Sequence, residues 1–585
     1  MNTQEYFDVV VIGSGGAGLR SAIGAAEKGA KTLVVSKGKV NRSGATLLAG
    51  ANISADIACD GKSLHDMGIT GTNKYDSKDK FYEDTIHEGF YLNNDKLVDI
   101  FVNTAPDRIK ELMDWGMKVR GLEGERGIAV FGSDILDSLM KRVKELKASI
   151  MEDTVFTDLV VENGVCKGVI LADINSGEIK YIAAKAVVLA TGGAHNAFSH
   201  NSGSTDLCGE GQAAALRAGA ELIDMEMVSY CPDVISYPEI YKGNILPYIF
   251  ATIGVGKRLN KFGQEFTMKY FSREVEVLAL DTEWNKMLMS YAIQKEINSG
   301  KGTKRGGVYL SLPKHPTNVM DELYDMLPSL SMGIYKDIME IIGRGEALVV
   351  TPAAHYFVGG IRINERMESS IPGLFAAGEC AGGLFGSNRV SAATTEMLIE
   401  GAVAGESAGA YALKAEPVKA CEDIVWHLCE QLQKPFGNTG GKSPRELIQA
   451  MHKVTSKGLS VLKNEEDMTT AFDETLSLLN TELPNVTFSS KSKIYNREWQ
   501  DFLQLRSSLV VAGAILKSAL LRKESRGCHI RTDYLYTDND EFLKNIVIKD
   551  ILFNTEMENV KNNFCTDKGK VAYQKYIEEV VTRLS

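Results

Sequence analysis

Asp8-Val-Val-Val-Ile12 runs straight into Gly13-Ser14-Gly15-Gly16-Ala17-Gly18, and a small-residue stretch from Leu19 to Lys28 leads through Gly29 to Thr32-Leu-Val-Val35. The reading is strand, glycine turn, helix, strand. In that setting G-x-G-x-x-G means dinucleotide binding. Gly13 permits the tight turn, Gly15 lets the backbone approach a pyrophosphate, and Gly18 lets the helix pack on the strand. The N-terminus of the helix that follows supplies free N–H groups and a positive dipole end, which suit phosphates. A ribose-binding acid is expected about 20 residues on. Ser36-Lys37 stands there instead, and a serine hydroxyl can take that place.

Working outward, 585 residues exceed what a single core supports. The composition, 44% hydrophobic and 24% charged, is that of a globular protein. A net charge of −11 argues against nucleic acid as a partner, while leaving room for a local basic pocket. Nine cysteines are scattered without a C-x-x-C pair, so neither a metal or iron–sulfur site nor a disulfide framework is expected. The N-terminus has no basic, apolar leader pattern. The most apolar run, Leu509 to Leu521, is broken by Lys517 and reads as too short to span a membrane. A cytoplasmic location is expected, or a peripheral one on the inner membrane face through a partner.

Further on, Val155–Val161, Cys166–Ala172 and Ile179–Ile182 read as a three-strand meander with turns at Asn163-Gly164 and Asn175-Ser176-Gly177. Ala186–Ala190 reads as a separate buried strand ending in Thr191-Gly192-Gly193, whose glycines permit close backbone approach. Glu210 opens a helix, either as a ribose ligand or as a capping acid favoured by the helix dipole. Residues 233–350 lack glycine motifs and read as an insertion. Glycine chemistry resumes at His355-Tyr356 with Gly359-Gly360, at Gly378-Glu379 and at Ser387-Asn388-Arg389. Gly401, Gly405 and Gly409 read as a helix-packing stripe.

The expected fold is therefore α/β. A Rossmann-type nucleotide domain (1–232 and 351–410) is interrupted by an α+β capping domain (233–350). A helical C-terminal domain (411–535) and a charged tail (536–585) follow.

These motifs, in this order over roughly residues 6–535, resemble the flavoprotein subunits of succinate dehydrogenase and fumarate reductase. L-aspartate oxidase and the adenylylsulfate reductase α subunit are cousins. The C-terminal Glu524-Ser-Arg-Gly-Cys-His529-Ile-Arg531 also looks like the family. The resemblance implies FAD, bound by the glycine loop, Ser36, Lys37, Ser43, Gly44, Ala45, Gly50, Ala190, Thr191, Gly192, Glu210, Gly378, Glu379, Arg389 and Ala392. It implies hydride exchange with a bound carboxylate and an iron–sulfur or ferredoxin-like electron partner. His355 matches the family histidine on the substrate carboxylate, with Tyr356 beside it. Arg389 matches the arginine that grips a carboxylate in bidentate fashion.

Three departures matter. The histidine of covalently flavinylated members falls at Gly44, so FAD is expected to be noncovalent. The family's Phe-His-Pro is Tyr230-Cys231-Pro232, which places a less basic wall, with Trp284, in the substrate pocket. The family's proton-donating arginine aligns with Lys286, to be weighed against a plain surface lysine. Lys257 and Arg258 are further candidates. The leading expectation is reduction of an anionic enoate C=C bond, or its reverse. Rivals are an adenylylsulfate-reductase-like or aspartate-oxidase-like enzyme, and a non-catalytic flavin electron carrier.

Overall fold

A computed structural model of the protein describes residues 5–49, 55–56, 61–121, 124, 126–245, 256–279, 284–311, 321, 333–390, 392–418 and 422–584. The opening stretch forms β1 (Glu5–Ile12), α1 (Gly16–Glu27) and β2 (Thr32–Val35). β1 and β2 pair in parallel, Val9 opposite Thr32 through Ile12 opposite Val35. All four residues of β2 are buried, as both faces of a covered parallel sheet require. Beyond β2 lies β3 (Ser149–Met151), again parallel.

On the other side of β1 the structure departs from the sequence expectation. After β4 (Thr154–Glu162) and β5 (Val165–Asp173), residues 179–189 form one strand, β6 (Ile179–Leu189), where a meander strand and a separate buried strand were expected. Its first half pairs antiparallel with β5, and its second half pairs in parallel with Leu374–Ala376. Along its opposite edge it pairs in parallel with β1 from Ile182 to Leu189. One strand thus belongs to two ladders in succession, and no turn separates them. β6 ends at Leu189, delivering Ala190 and Thr191 beside the Gly13 turn.

α2 (Glu210–Arg217) follows. The inserted region is built on a four-stranded sheet whose outer and second strands are β7 (Val228–Tyr237) and β10 (Leu348–Phe357). Between them in sequence come β8 (Lys257–Leu259), α3 (Trp284–Glu296) and β9 (Val308–Ser311). β7 and β10 both run through the expected boundaries at 232/233 and 350/351. The nucleotide domain and the insertion therefore share continuous strands, and the last residues of β10, still paired with β7 at Tyr356 and Phe357, reach the nucleotide fold, where the Phe357 N–H donates to Glu379.

α4 (Ala393–Lys414) lies along α1. A Cβ at Gly401 would come within 2.6 Å of the Ala17 carbonyl oxygen, and one at Gly405 within 2.1 Å of that of Ser21. The glycine stripe is what lets the two backbones touch.

The C-terminal part is helical, ending in α5 (Arg497–Leu521). α5 is long and apolar enough, by length and composition, to cross a membrane, which the reading of Leu509–Leu521 alone missed. Yet 83% of its apolar window is buried within the protein, as befits a core helix. The charged tail carries regular structure of its own. Lys544–Ile548 and Thr555–Asn559 extend a five-stranded sheet through Leu222–Ile223, and α6 (Tyr573–Leu584) closes the chain with Tyr573, Tyr576 and Ile577 buried.

Candidate active site

A cleft of about 420 Å³ runs from the glycine loop to the end of β10. That volume falls within the roughly 300–1,000 Å³ of ordinary small-ligand pockets. Gly13, Gly15, Gly16 and Ala17 line it. Gly13 has φ 114°, and a Cβ there would lie 2.1 Å from the Ala190 carbonyl oxygen. The loop is pressed onto β6 as a glycine turn must be. Gly15 gives α1 no side-chain cap; the Gly16 N–H donates to Thr46 Oγ1 at 3.1 Å, and the remaining first-turn amides have no intrahelical acceptor and suit a phosphate. Gly18 does not line the cleft. Its Cβ would meet the Gly13 carbonyl oxygen at 2.0 Å, so it serves helix–strand packing.

Ser36 is buried and its hydroxyl shares a 2.7 Å hydrogen bond with that of Ser14. Lys37 reaches from the end of β2 to Glu210 at the start of α2, 2.5 Å away, and to the Asp206 carbonyl oxygen. Burial works against the Lys37 charge, but the neighbouring Cys208, Glu210 and Asp206 more than offset it, so the ammonium is retained. Ser43, Gly44 and Ala45 line the cleft, as do Ala190, Thr191, Gly192, Gly378 and Glu379. Ala392 stands just before α4 and does not, whereas Ala393 and Thr394 do. Gly50 lies outside the described residues. A glycine cradle, a helix N-terminus and hydroxyl, lysine and glutamate groups beyond the second strand together fit an extended dinucleotide.

At the far end His355, Tyr356, Arg389 and Lys286 line the same cleft. Ser202 Oγ and His355 Nδ1 share a hydrogen bond of 2.8 Å. The Arg389 guanidinium lies 4.3 Å from the centre of the Tyr356 ring, a cation–π distance. The Tyr356 hydroxyl donates to Glu396 in the first turn of α4. Burial, then Glu396 and Glu379, push the Tyr356 phenol well up, so it remains a donor. Burial likewise raises the Glu396 carboxyl above its ordinary value, against the hydrogen bond from Tyr356 and the charge of Arg389. One turn on, Glu400 is raised by burial and by Glu396 while accepting from the Gly378 amide at 2.7 Å. Lys286, on α3, is 9% exposed and faces the cleft rather than standing on the surface.

Two expected pocket residues sit elsewhere. Tyr230 is buried and its hydroxyl donates to the Leu459 carbonyl at 2.6 Å. Cys231 packs with Val234, Ala353 and Ile245, and of these only Ile245 lines the cleft. Strand alternation explains the split, since neighbouring residues of β7 face opposite sides. Trp284 packs on Phe90, 4.8 Å between ring centres. Arg258 is held by Asp233 through two hydrogen bonds of 3.0 and 2.6 Å, and Lys257 is exposed beside Glu265.

Sequence reasoning passed over Glu396, Ser202 and His195. His195 Nε2 donates to the His355 carbonyl at 2.9 Å, and its Nδ1 meets no hydrogen-bond partner among the described residues. Two glutamates four apart in the small-residue helix Ala393–Lys414 were a readable signal, because a packed helix face rarely carries acids without a purpose. Nothing in the local sequence marks Ser202.

The fold and this cleft define a flavoprotein with an interrupted nucleotide domain. A family model described as an FAD binding domain matches residues 8–395, and one described as the fumarate reductase flavoprotein C-terminus matches 448–576. The chain belongs to the fumarate reductase/succinate dehydrogenase flavoprotein family and is an FAD-dependent oxidoreductase acting on CH–CH groups. It is 32% identical to an uncharacterized FAD-dependent oxidoreductase of Methanocaldococcus jannaschii, over 93% of this chain and 96% of that protein. It is 31% identical to a subunit of the fumarate reductase (CoM/CoB) of Methanothermobacter marburgensis, over 90% of this chain and 94% of that subunit. The E. coli quinol fumarate reductase flavoprotein superposes with a TM-score of 0.83 at 26% identity, covering 96% and 98%. Adenylylsulfate reductase of Archaeoglobus fulgidus shares the fold at TM-score 0.75 and 18% identity.

Proposed function

We propose that the protein reduces the C=C bond of a carboxylate-bearing enoate, or runs the reverse. The observation that carries this reading is the convergence of Arg389, His355 and Lys286 on one cleft with the glycine loop. Bound flavin supplies two-electron chemistry. Arg389, held flat by the Tyr356 ring, grips the carboxylate by its planar fork. His355, oriented by Ser202, adds a second hydrogen bond, and Lys286 delivers the proton that completes saturation. With only glycine at position 44 of the Ser43–Ala45 turn, FAD is held noncovalently. Electrons come from a separate iron–sulfur protein, in keeping with relatives that are named as subunits. The protein works in the cytoplasm, or at the inner membrane face through that partner.

The test is anaerobic. Holoenzyme reduced with dithionite is mixed with unsaturated acids, and flavin absorbance reports reoxidation. Arg389→Ala is expected to lower kcat/KM by roughly 10²-fold, the scale of losing about 3 kcal/mol from a buried charged contact. If no enoate reoxidises the flavin and Arg389→Ala behaves as wild type with every acceptor, the proposal fails. Acid precipitation is expected to release the flavin into the supernatant, and flavin retained in the pellet would show a covalent bond.

A further inference from the structure

Two carboxyls stand one turn apart on the buried side of α4, Glu396 at 5% exposure and Glu400 at 3%. Residues four apart on a helix are neighbours. Each carboxyl is tied to a different element. Glu396 accepts from the Tyr356 hydroxyl of β10. Glu400 accepts from the Gly378 N–H at 2.7 Å, in the turn after Leu374–Ala376. A third carboxyl, Glu379, accepts from the Phe357 N–H at 3.1 Å. Glu379 and Glu396 line the cleft. The clamp belongs to the same arrangement. The tyrosine that donates to Glu396 also carries the Arg389 guanidinium on its ring, and that guanidinium donates to the Val390 carbonyl at 3.2 Å.

Two carboxylates sharing a site out of water do not both ionise readily, so one keeps its proton. Burial raises both Glu396 and Glu400. Glu396 is the member that answers to the contents of the cleft. Four groups face it: Tyr356 on β10, whose hydrogen bond favours the ionised form; Glu379, which opposes ionisation; Arg389, which favours it; and Glu400 on its own helix, a like charge. The charge of Arg389 is thus already shared with Glu396. A ligand carboxylate at Arg389 would meet the same charge, and an ionised Glu396 nearby would repel it. Once that charge is matched by a ligand, its pull on Glu396 weakens and the carboxyl's affinity for a proton rises.

Resting on the carboxylate clamp of the enoate reading above, we infer that a carboxylate ligand enters the cleft together with a proton, and that Glu396 holds that proton. Ionised, Glu396 is a built-in competitor for the charge of Arg389. Protonated, it keeps an oxygen for the Tyr356 hydroxyl and leaves that charge to the ligand. The step is ligand–COO⁻ plus Glu396–COO⁻ plus H⁺ giving bound ligand–COO⁻ and Glu396–COOH. One O–H bond forms and no electron moves. The complex then holds a proton that the free protein has released at high pH. Affinity is therefore full below the Glu396 titration and is lost as pH rises through it, by up to tenfold for each pH unit.

The probes are succinate and butanoate, titrated into oxidised holoenzyme at pH 6.5 and pH 9 and read from the flavin spectrum. In wild type the Kd of the tighter acid is expected to rise at least tenfold over that interval. In Glu396→Gln, which keeps an acceptor for Tyr356 and cannot ionise, it is expected to change less than twofold. Lys286 is present in both proteins, so a loss of affinity that persists in the variant belongs to another group and overturns the inference. Should the variant fail to hold its flavin, calorimetry of wild type at pH 9 decides. Binding enthalpies in two buffers of different ionisation enthalpy are expected to show uptake of about half to one proton per ligand. No uptake, or release, overturns the inference. Equal wild-type affinity at the two pH values also overturns it and leaves the enoate reading standing. Failure of both acids to bind at pH 6.5 overturns the clamp and this inference with it.

Discussion

Arg389 acts through its neighbours. Its guanidinium rests on Tyr356, whose hydroxyl is tied to Glu396, so an acid on α4 helps fix the orientation of the guanidinium. Tyr356→Phe keeps the ring and loses the tether. We expect KM for the carboxylate to rise about 3- to 10-fold with kcat nearly unchanged, the scale of about 1 kcal/mol for one hydrogen bond; steady-state kinetics separate the two terms. Glu396 also carries a pH signature. Its folded carboxyl is raised above the ordinary 4.5 by burial first. The folded state therefore holds a proton that the unfolded chain has released, and stability falls as pH rises above about 4.5 toward the raised value. Glu396→Gln keeps an acceptor for the tyrosine and has no proton to lose, so its melting temperature should decline less than that of wild type between pH 5 and 8. Equal slopes would refute the assignment. Arg389 and His355 were readable because each sits inside a motif. Ser202 was not, because only the return of β10 past residues 200–202 brings it to His355.

At the scale of elements, period and glycine placement were enough for β1, α1 and β2, where local pattern and tertiary packing agree. They were insufficient for β6. Its two halves carry different partners, and sequence alone does not reveal that one straight strand can serve an antiparallel and a parallel ladder in turn. The stripe on α4 was legible, since spacing by four leaves one bare face. Its energetic role is testable by contrast. Gly405→Ala drives a Cβ to within 2.1 Å of the Ser21 carbonyl, backbone that cannot step aside, and overpacking of this kind costs about 1–3 kcal/mol. Gly343 ends the helix Gly333–Gly343 with nothing near its Cβ position, so Gly343→Ala should be neutral or stabilising by up to about 1 kcal/mol. Thermal unfolding of the flavin-loaded variants compares them. A Gly405→Ala protein as stable as wild type would mean that α1 and α4 are not rigidly apposed.

The whole molecule is held by contacts that domain boundaries drawn from sequence do not anticipate. Asp158 on β4 receives Arg217 from α2 at 3.0 Å and Arg506 from α5 at 2.7 Å. One carboxylate thus joins the meander, the helix bearing Glu210 and the core helix of the C-terminal part. Such a three-way junction is invisible in sequence because its members are 59 and 348 residues away from Asp158. Burial alone would raise the Asp158 carboxyl, yet the two guanidiniums bring it below its ordinary 3.8. A depressed carboxyl adds stability that is fully present above the unfolded value and is lost as pH falls through the folded one. Asp158→Asn leaves two guanidiniums facing each other, and breaking a buried pair of this kind costs about 3–5 kcal/mol. We expect the variant to melt earlier at pH 7 and to lose less stability than wild type on acidification below about pH 4. Because Glu210 heads the same α2 that carries Arg217, the variant should also release FAD more readily, measured as flavin fluorescence appearing below the protein's own melting transition. If Asp158→Asn melts with wild type and keeps its flavin to the same temperature, the three elements are joined by their apolar packing and the junction is incidental.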